Sequence, residues 1–327
     1  MPRMLRPAPV PLWSRLAIPR LHPTTVGSLC CIVAALGYGA VNVCLRSLTV
    51  RCDRSLILLS RETLAAVCMG AWFLYWARRE GFSPPRWRPL AGLVVVGVLT
   101  QLAASLPLLW AMAVVGLAIS ITLSLGTSLI TSALLGRFLL GERVSGQSLL
   151  AIGLLIAAVI LLTFGAERAA AVPGLDDGYG PLVIVLAAAA SCGAGIVYGL
   201  LNVAVRRWVT GGMSAGFVAL VVPIVGVGCL APVSFWRLGV AGILATPPED
   251  ALVLLAAGLL NVIAWFAVVR GLERTSVLRA NVLTASQVAL AALAGVVIFD
   301  EAITIFLVAG ILITIAGMVM IGRPAAQ

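Results

Sequence analysis

The chain has 327 residues, of which 61% are hydrophobic and 10% charged. Soluble domains carry about 25% charged residues, so an ordinary soluble domain is excluded, and so is a disordered chain, which would be polar. The formal net charge of +10 rests on arginine alone, because the chain has no lysine; in a soluble protein that basicity would point to nucleic acid, but here it reads as loop charge that orients a membrane protein.

Residues 1–24 hold Pro2, Pro7, Pro9, Pro11, Pro19 and Pro23 with four arginines, the pattern of a flexible cytoplasmic tail. The apolar run after it is too long for the core of a cleavable signal. A bilayer core needs about 20 apolar residues per helix. Ten runs meet this: 25–46, 55–77, 90–111, 113–136, 146–165, 181–204, 212–235, 251–269, 275–298 and 303–321. Midway, residues 166–180 carry Pro173, Gly174, Asp176, Asp177 and Gly178 and read as a linker. The expected fold is therefore an all-α polytopic membrane protein of ten transmembrane helices, with one five-helix unit at 25–165, a second at 181–321, and a short cytoplasmic C-terminus at 322–327.

Arginine placement sets the orientation, since cytoplasmic loops are enriched in basic residues. With the N-terminus inside, sixteen arginines fall in cytoplasmic segments and five (Arg46, Arg51, Arg54, Arg168 and Arg237) in outer ones. Arg61 lies within a helix. Both termini are thus expected in the cytoplasm, in the inner or plasma membrane. Trp72, Trp76, Trp208 and Trp236 lie near predicted helix ends and read as interfacial anchors.

Several chemistries lack their residues. The seven cysteines form no C-x-x-C pair, and His22 is the single histidine. Neither a disulfide framework nor a zinc site is suggested, and no metal or other cofactor is expected. No phosphate loop of the G-x-x-x-x-G-K-[ST] kind and no G-x-G-x-x-G occurs. Without a Ser–His pair or clustered aspartates, an enzyme is not expected.

The first and sixth runs share a motif. Tyr38-Gly39-Ala40-Val41-Asn42-Val43-Cys44-Leu45-Arg46 and Tyr198-Gly199-Leu200-Leu201-Asn202-Val203-Ala204-Val205-Arg206 both read Y-G-x-x-N-V-x-x-R, 160 positions apart. Gln101 and Asn261 are also 160 apart, and Glu142 and Glu301 are 159 apart. Five helices is an odd number, so a second copy would run inverted through the bilayer. Inverted repeats with a site at their interface mark secondary transporters.

Residues 134–143 read L-L-G-R-F-L-L-G-E-R, residues 294–301 read A-G-V-V-I-F-D-E, and residues 60–66 read S-R-E-T-L-A-A. With these segments the chain resembles the ten-helix, EamA-type branch of the drug/metabolite transporter superfamily, over about residues 25–321. The resemblance implies a central cavity and places the family arginine at Arg61. The chain departs from the family where a proline is usual, at Gly126-Thr127-Ser128 and Ser286-Gln287-Val288.

Polar side chains at bilayer depth are costly unless they face a cavity or a partner. Tyr38, Asn42 and Arg46 share one helix face, as do Tyr198, Asn202 and Arg206. Two readings stand for the asparagines: paired access paths, or hydrogen bonds to neighbouring helices. Arg61 and Glu62 form the one charged pair well inside a predicted helix. As neighbours they point about 100° apart and need not meet. An arginine there suits a substrate carboxylate or phosphate, and Glu62 is the candidate for proton coupling. The alternative is pairing to other helices or snorkelling. Gln101, Asn261, Trp265 and Gln287 complete the candidate substrate-binding set. Glu142 and Glu301 are expected to cap the helix that follows each.

The expected function is secondary transport of a small organic solute by alternating access, export ahead of uptake. The chain should work as a monomer, because it holds both orientations itself. The alternatives are a flippase for a lipid-linked or nucleotide-linked sugar, and a non-transporting scaffold or sensor. The expected partners are the lipid bilayer and the small-molecule substrate.

Overall fold

The computed structural model describes residues 22–48, 51–80, 87–115, 117–142 and 181–287, with scattered helical positions in 146–161 and 289–316. These residues are all-helical, with no strand among them. The helices are α1 (Pro23–Leu48), α2 (Arg54–Glu80), α3 (Trp87–Leu99), α4 (Leu106–Val115), α5 (Leu117–Leu140), α6 (Pro181–Thr210), α7 (Ala215–Leu244), α8 (Pro248–Arg274) and α9 (Val277–Ala285). A π-helical turn, Thr100–Ser105, joins α3 to α4.

Seven described helices are long and apolar enough to cross a membrane, with α3, the π turn and most of α4 forming one span at Trp87–Met112. The predicted runs at 146–165 and 303–321, the second half of 275–298 and the linker lie largely or wholly outside the described residues. The observed helices run past their predicted ends: α6 reaches Thr210 and α8 reaches Arg274. A hydropathy window stops at the first charge, but an amphipathic end continues the helix into the headgroup layer. Arg78 and Arg79 close α2, and Arg274 closes α8; cations suit the negative end of the helix dipole. At the opposite ends, Ser214 and Ser276 cap α7 and α9 by accepting from the amides of Phe217 and Arg279.

Small residues set which helices meet. A Cβ on Gly199 of α6 would sit 2.9 Å from the Ser128 carbonyl oxygen of α5, and one on Gly195 would overlap Thr127 and the Ser124 carbonyl. These glycines are four apart, the small-xxx-small spacing that lets helices touch. Thr127 then donates to the Cys192 carbonyl at 3.1 Å across the joint. In the same way α1 packs along α8, where Gly271 leaves room for Cys31. Helix α2 packs on α7 and α8.

The π turn has a local cause. Pro107, just beyond it, has no amide hydrogen and cannot close a regular turn onto the helix before it. Within the turn, Ser105 Oγ donates to the Thr100 carbonyl at 3.0 Å. Position 267, at an offset of 160 from Pro107, is alanine, and α8 runs through it as regular helix. Helix α7 carries Pro223 and Pro232, and a residue with non-helical dihedrals, Gly239 (φ 63°), near its end.

Three of the tryptophans read as anchors do more than that. Trp72 meets Phe266 edge-on at 5.2 Å and covers Gly216, Trp76 packs on the core, and Trp208 lies over Gly92. Trp236 is 89% exposed, as an anchor would be.

Candidate functional site

A cavity of about 220 Å³ lies between the helices. Tyr38 and Asn42 of α1 line it, together with Arg61 and Glu62 of α2 and Gln101 of the π turn. From the second half come Tyr198 and Asn202 of α6, Asn261 and Trp265 of α8, and Gln287. All ten candidates from the sequence therefore face one space. The Arg46 side chain lies outside the description.

The lining pairs residues 160 positions apart. Tyr38 and Tyr198, Asn42 and Asn202, Gln101 and Asn261, and Ser124 and Thr284 all line the cavity, each pair 160 positions apart. Arg61 and Glu62 break the pattern, since the matching positions are Val221 and Val222.

Arg61 and Glu62, which as neighbours need not meet, do so. The arginine Nη2 lies 3.1 Å from Glu62 Oε1. A 100° separation divides the Cβ vectors, but the long guanidinium stem folds back across it. The pair does not snorkel: Glu62 is 5% exposed. Gln101 also hydrogen-bonds the Glu62 carboxylate. Both side chains pack over Gly226 of α7, where a Cβ would sit 2.8 Å from Glu62 Cγ and 3.0 Å from Gln101 Nε2. Among the described residues this is the single charged pair lining the cavity.

Other polar groups are held by neighbours. Tyr198 Oη lies 3.2 Å from Ser105 Oγ. Asn202 Nδ2 donates to Asn281 Oδ1 at 2.6 Å, so Asn202 both lines the cavity and joins α6 to α9. Trp265 is 8% exposed, and its Nε1 donates to the Ala219 carbonyl at 3.0 Å. Three buried side-chain atoms on residues that line the cavity have no partner among the described residues: Arg61 Nε, Gln101 Oε1 and Asn281 Nδ2.

Sequence reasoning missed Ser105, Asn281 and Thr284. Asn281 follows Arg279 in a polar stretch that reads as a helix start. The 160-residue offset held no signal for it, because position 121 is isoleucine.

Glu142 caps a helix far from it in sequence, at Val277; residues 143–145, which open the segment it was expected to cap, lie outside the described residues. Gly141 turns the chain with φ 67°, a left-handed conformation suited to glycine. Both Glu142 carboxylate oxygens then accept from the Val277 amide, each at 3.1 Å, at the start of α9. Arg206 Nε is 3.8 Å from Glu142, and Arg206 Nη1 donates to the Leu272 carbonyl at 2.6 Å. Burial raises the Glu142 pKa more than the Val277 amide and Arg206 lower it, so the carboxyl stays above the usual range. Glu301 lies outside the described residues. Near the other ends of the helices, Asp53 meets Arg237 at 3.1 Å and Asp250 meets Arg51 at 3.4 Å.

Comparison with known proteins agrees with this architecture. Residues 184–323 match the EamA-like transporter family. None of the curated proteins compared matches the chain. A solved structure, described only as the crystal structure of a protein, superposes with a TM-score of 0.70, covering 90% of this chain and 96% of its own at 19% identity. At that identity the likeness shows the fold. The second half of the chain is thus similar to the EamA-like transporter family, within a helical fold that recurs over nearly its whole length.

Proposed function

We propose that the protein is a secondary transporter that carries a small organic solute across a membrane by alternating access, using two inverted five-helix halves. The observation that carries this reading is the shared cavity, whose polar lining includes four pairs from positions 160 apart. A cavity between matched halves is what alternating access requires, because each half supplies one wall and one path. The EamA-like match at 184–323 supports transport over a scaffold or sensor role. The size of the cavity favours a small solute over a lipid-linked sugar, since about 220 Å³ lies below the roughly 300–1,000 Å³ of drug-sized sites. Sixteen arginines in the segments assigned to the cytoplasm support both termini inside, and the presence of both orientations in one chain supports a monomer.

The test is an unbiased metabolite profile, inside and outside, of cells lacking and cells overproducing the protein. A small solute that shifts in opposite directions in the two strains supports the reading and gives the direction of transport. A change confined to lipid intermediates would replace it with the flippase.

A further inference from the structure

The three unpartnered atoms on cavity-lining residues describe a ligand. Arg61 Nε and Asn281 Nδ2 are donors, and Gln101 Oε1 is an acceptor. The Gln101 amide is oriented by its environment, because its nitrogen side faces Glu62. The side chain is 1% exposed, so its free oxygen is cut off from bulk water. A buried polar atom left unpaired costs free energy that a ligand recovers by pairing it. A complementary solute therefore offers more acceptors than donors. A carboxylate supplies acceptors alone, and one hydroxyl satisfies Gln101. An ammonium group, with three donors, would find a single free acceptor among these atoms.

Charge narrows the class further. Arg61 and Glu62 are the charged groups of the described lining, and they cancel. A phosphate monoester carries about −1.5 to −2 at neutral pH, which one arginine cannot balance, and buried uncompensated charge is expensive. A monocarboxylate can be balanced. Its carboxylate takes the place of the Glu62 carboxylate on Arg61, and Glu62 accepts one proton from water at the open face. The loaded site is then Arg61 cation, solute anion and neutral Glu62, with no net charge. The empty site is the Arg61–Glu62 pair, also neutral.

Resting on the transport reading above, we propose that the cavity takes a small hydroxy monocarboxylate that displaces Glu62 from Arg61, so that one proton travels with each solute. The titratable groups facing Glu62 are Arg61 on α2, Tyr38 on α1 and Tyr198 on α6. The π turn and α7 present Gln101 and Gly226, which do not titrate. The volume fits a small solute: about 220 Å³ lies below the roughly 300–1,000 Å³ of drug-sized sites.

The experiment uses the full chain in liposomes, with lactate and glycerate as probes. Methyl lactate, phosphoglycerate and serine are the comparisons. Lactate or glycerate should enter with one proton each. Methyl lactate should bind about tenfold more weakly or worse, the cost of a lost charge-assisted hydrogen bond. Glu62→Gln, which leaves Arg61 without its resident anion, should bind lactate about tenfold more tightly by the same measure, with no proton uptake. Its unfolding midpoint in detergent checks the fold; if that variant does not fold, the acid-against-ester comparison in the parent decides alone. The proposal is overturned if neither acid binds, if the ester binds as well as the acid, or if phosphoglycerate or serine binds best. Should another solute move in the metabolite profile while both acids fail, transport stands and this substrate class falls. If the profile is silent too, both fall.

Discussion

Trp265 on α8 donates its indole hydrogen to the carbonyl of Ala219 on α7, at 3.0 Å. That carbonyl is free because Pro223, four residues on, has no amide hydrogen to give it. A helix-breaking residue in one span is thus satisfied by a side chain from the next, as a low-dielectric interior requires. The bond fixes the indole where it lines the cavity.

Trp265→Phe should therefore destabilise the parent by about 1–3 kcal/mol, the cost of an orphaned buried carbonyl, and lower the unfolding midpoint in detergent. In a Pro223→Ala background the helix supplies its own donor, and the cost of Trp265→Phe should shrink. Equal costs in the two backgrounds would show that the indole acts by bulk alone.

The α5–α6 joint gives a second prediction. Gly195→Ala places a methyl group against Thr127 and the Ser124 carbonyl, while Gly228→Ala meets nothing within 4 Å. The first should lower the unfolding midpoint. The second should leave it level or raise it, because alanine is the better helix former by about 1 kcal/mol.

Much of this arrangement was legible in the sequence, and the reason is periodic. Tyr38 and Asn42 are one turn apart, so they share a face, and the motif at Tyr198 and Asn202 repeats it. Bilayer depth made the amides of Gln101 and Asn261 conspicuous in their apolar runs, though not Asn281, which lies near a charged stretch. Contacts between distant segments were not legible. Nothing local to Glu142 announces that it caps Val277, 135 residues away. The π turn before Pro107 reads as uninterrupted helix by hydropathy. Arg61 and Glu62 meet only because a long side chain bends.

Asp53 yields a pH prediction. Burial pushes its carboxyl up, but the hydrogen bonds from Ser55 and the charge of Arg237 outweigh that, and the carboxyl lies below its ordinary value. A depressed carboxylate contributes stability that is full above the unfolded-state value and is lost as pH falls through the folded one. Asp53→Asn should flatten the acid side of the stability profile. The change at neutral pH should be about 1 kcal/mol or less, since Arg237 is largely exposed. An unchanged acid limb in Asp53→Asn would show that other carboxylates set it.

Glu62→Gln should separate two activities. Accumulation driven by a pH gradient should vanish in liposomes, and the ratio of solute-for-solute exchange to accumulation should rise by about tenfold or more. If the variant accumulates solute as the parent does, Glu62 is not the coupling group. Loss of both together would make it a structural or purely binding residue.

The central claim is a cavity reached alternately from the two sides, and its most direct measurement is chemical access. Single cysteines replace Asn42 and Asn202, one at a time, in a chain whose seven native cysteines are removed, reconstituted in one orientation. An impermeant thiol reagent is added to either side of the membrane. Alternating access predicts that both positions react from both sides, and that a transported solute slows all four reactions. A cysteine at either position that reacts from one side alone, or from neither, would contradict it.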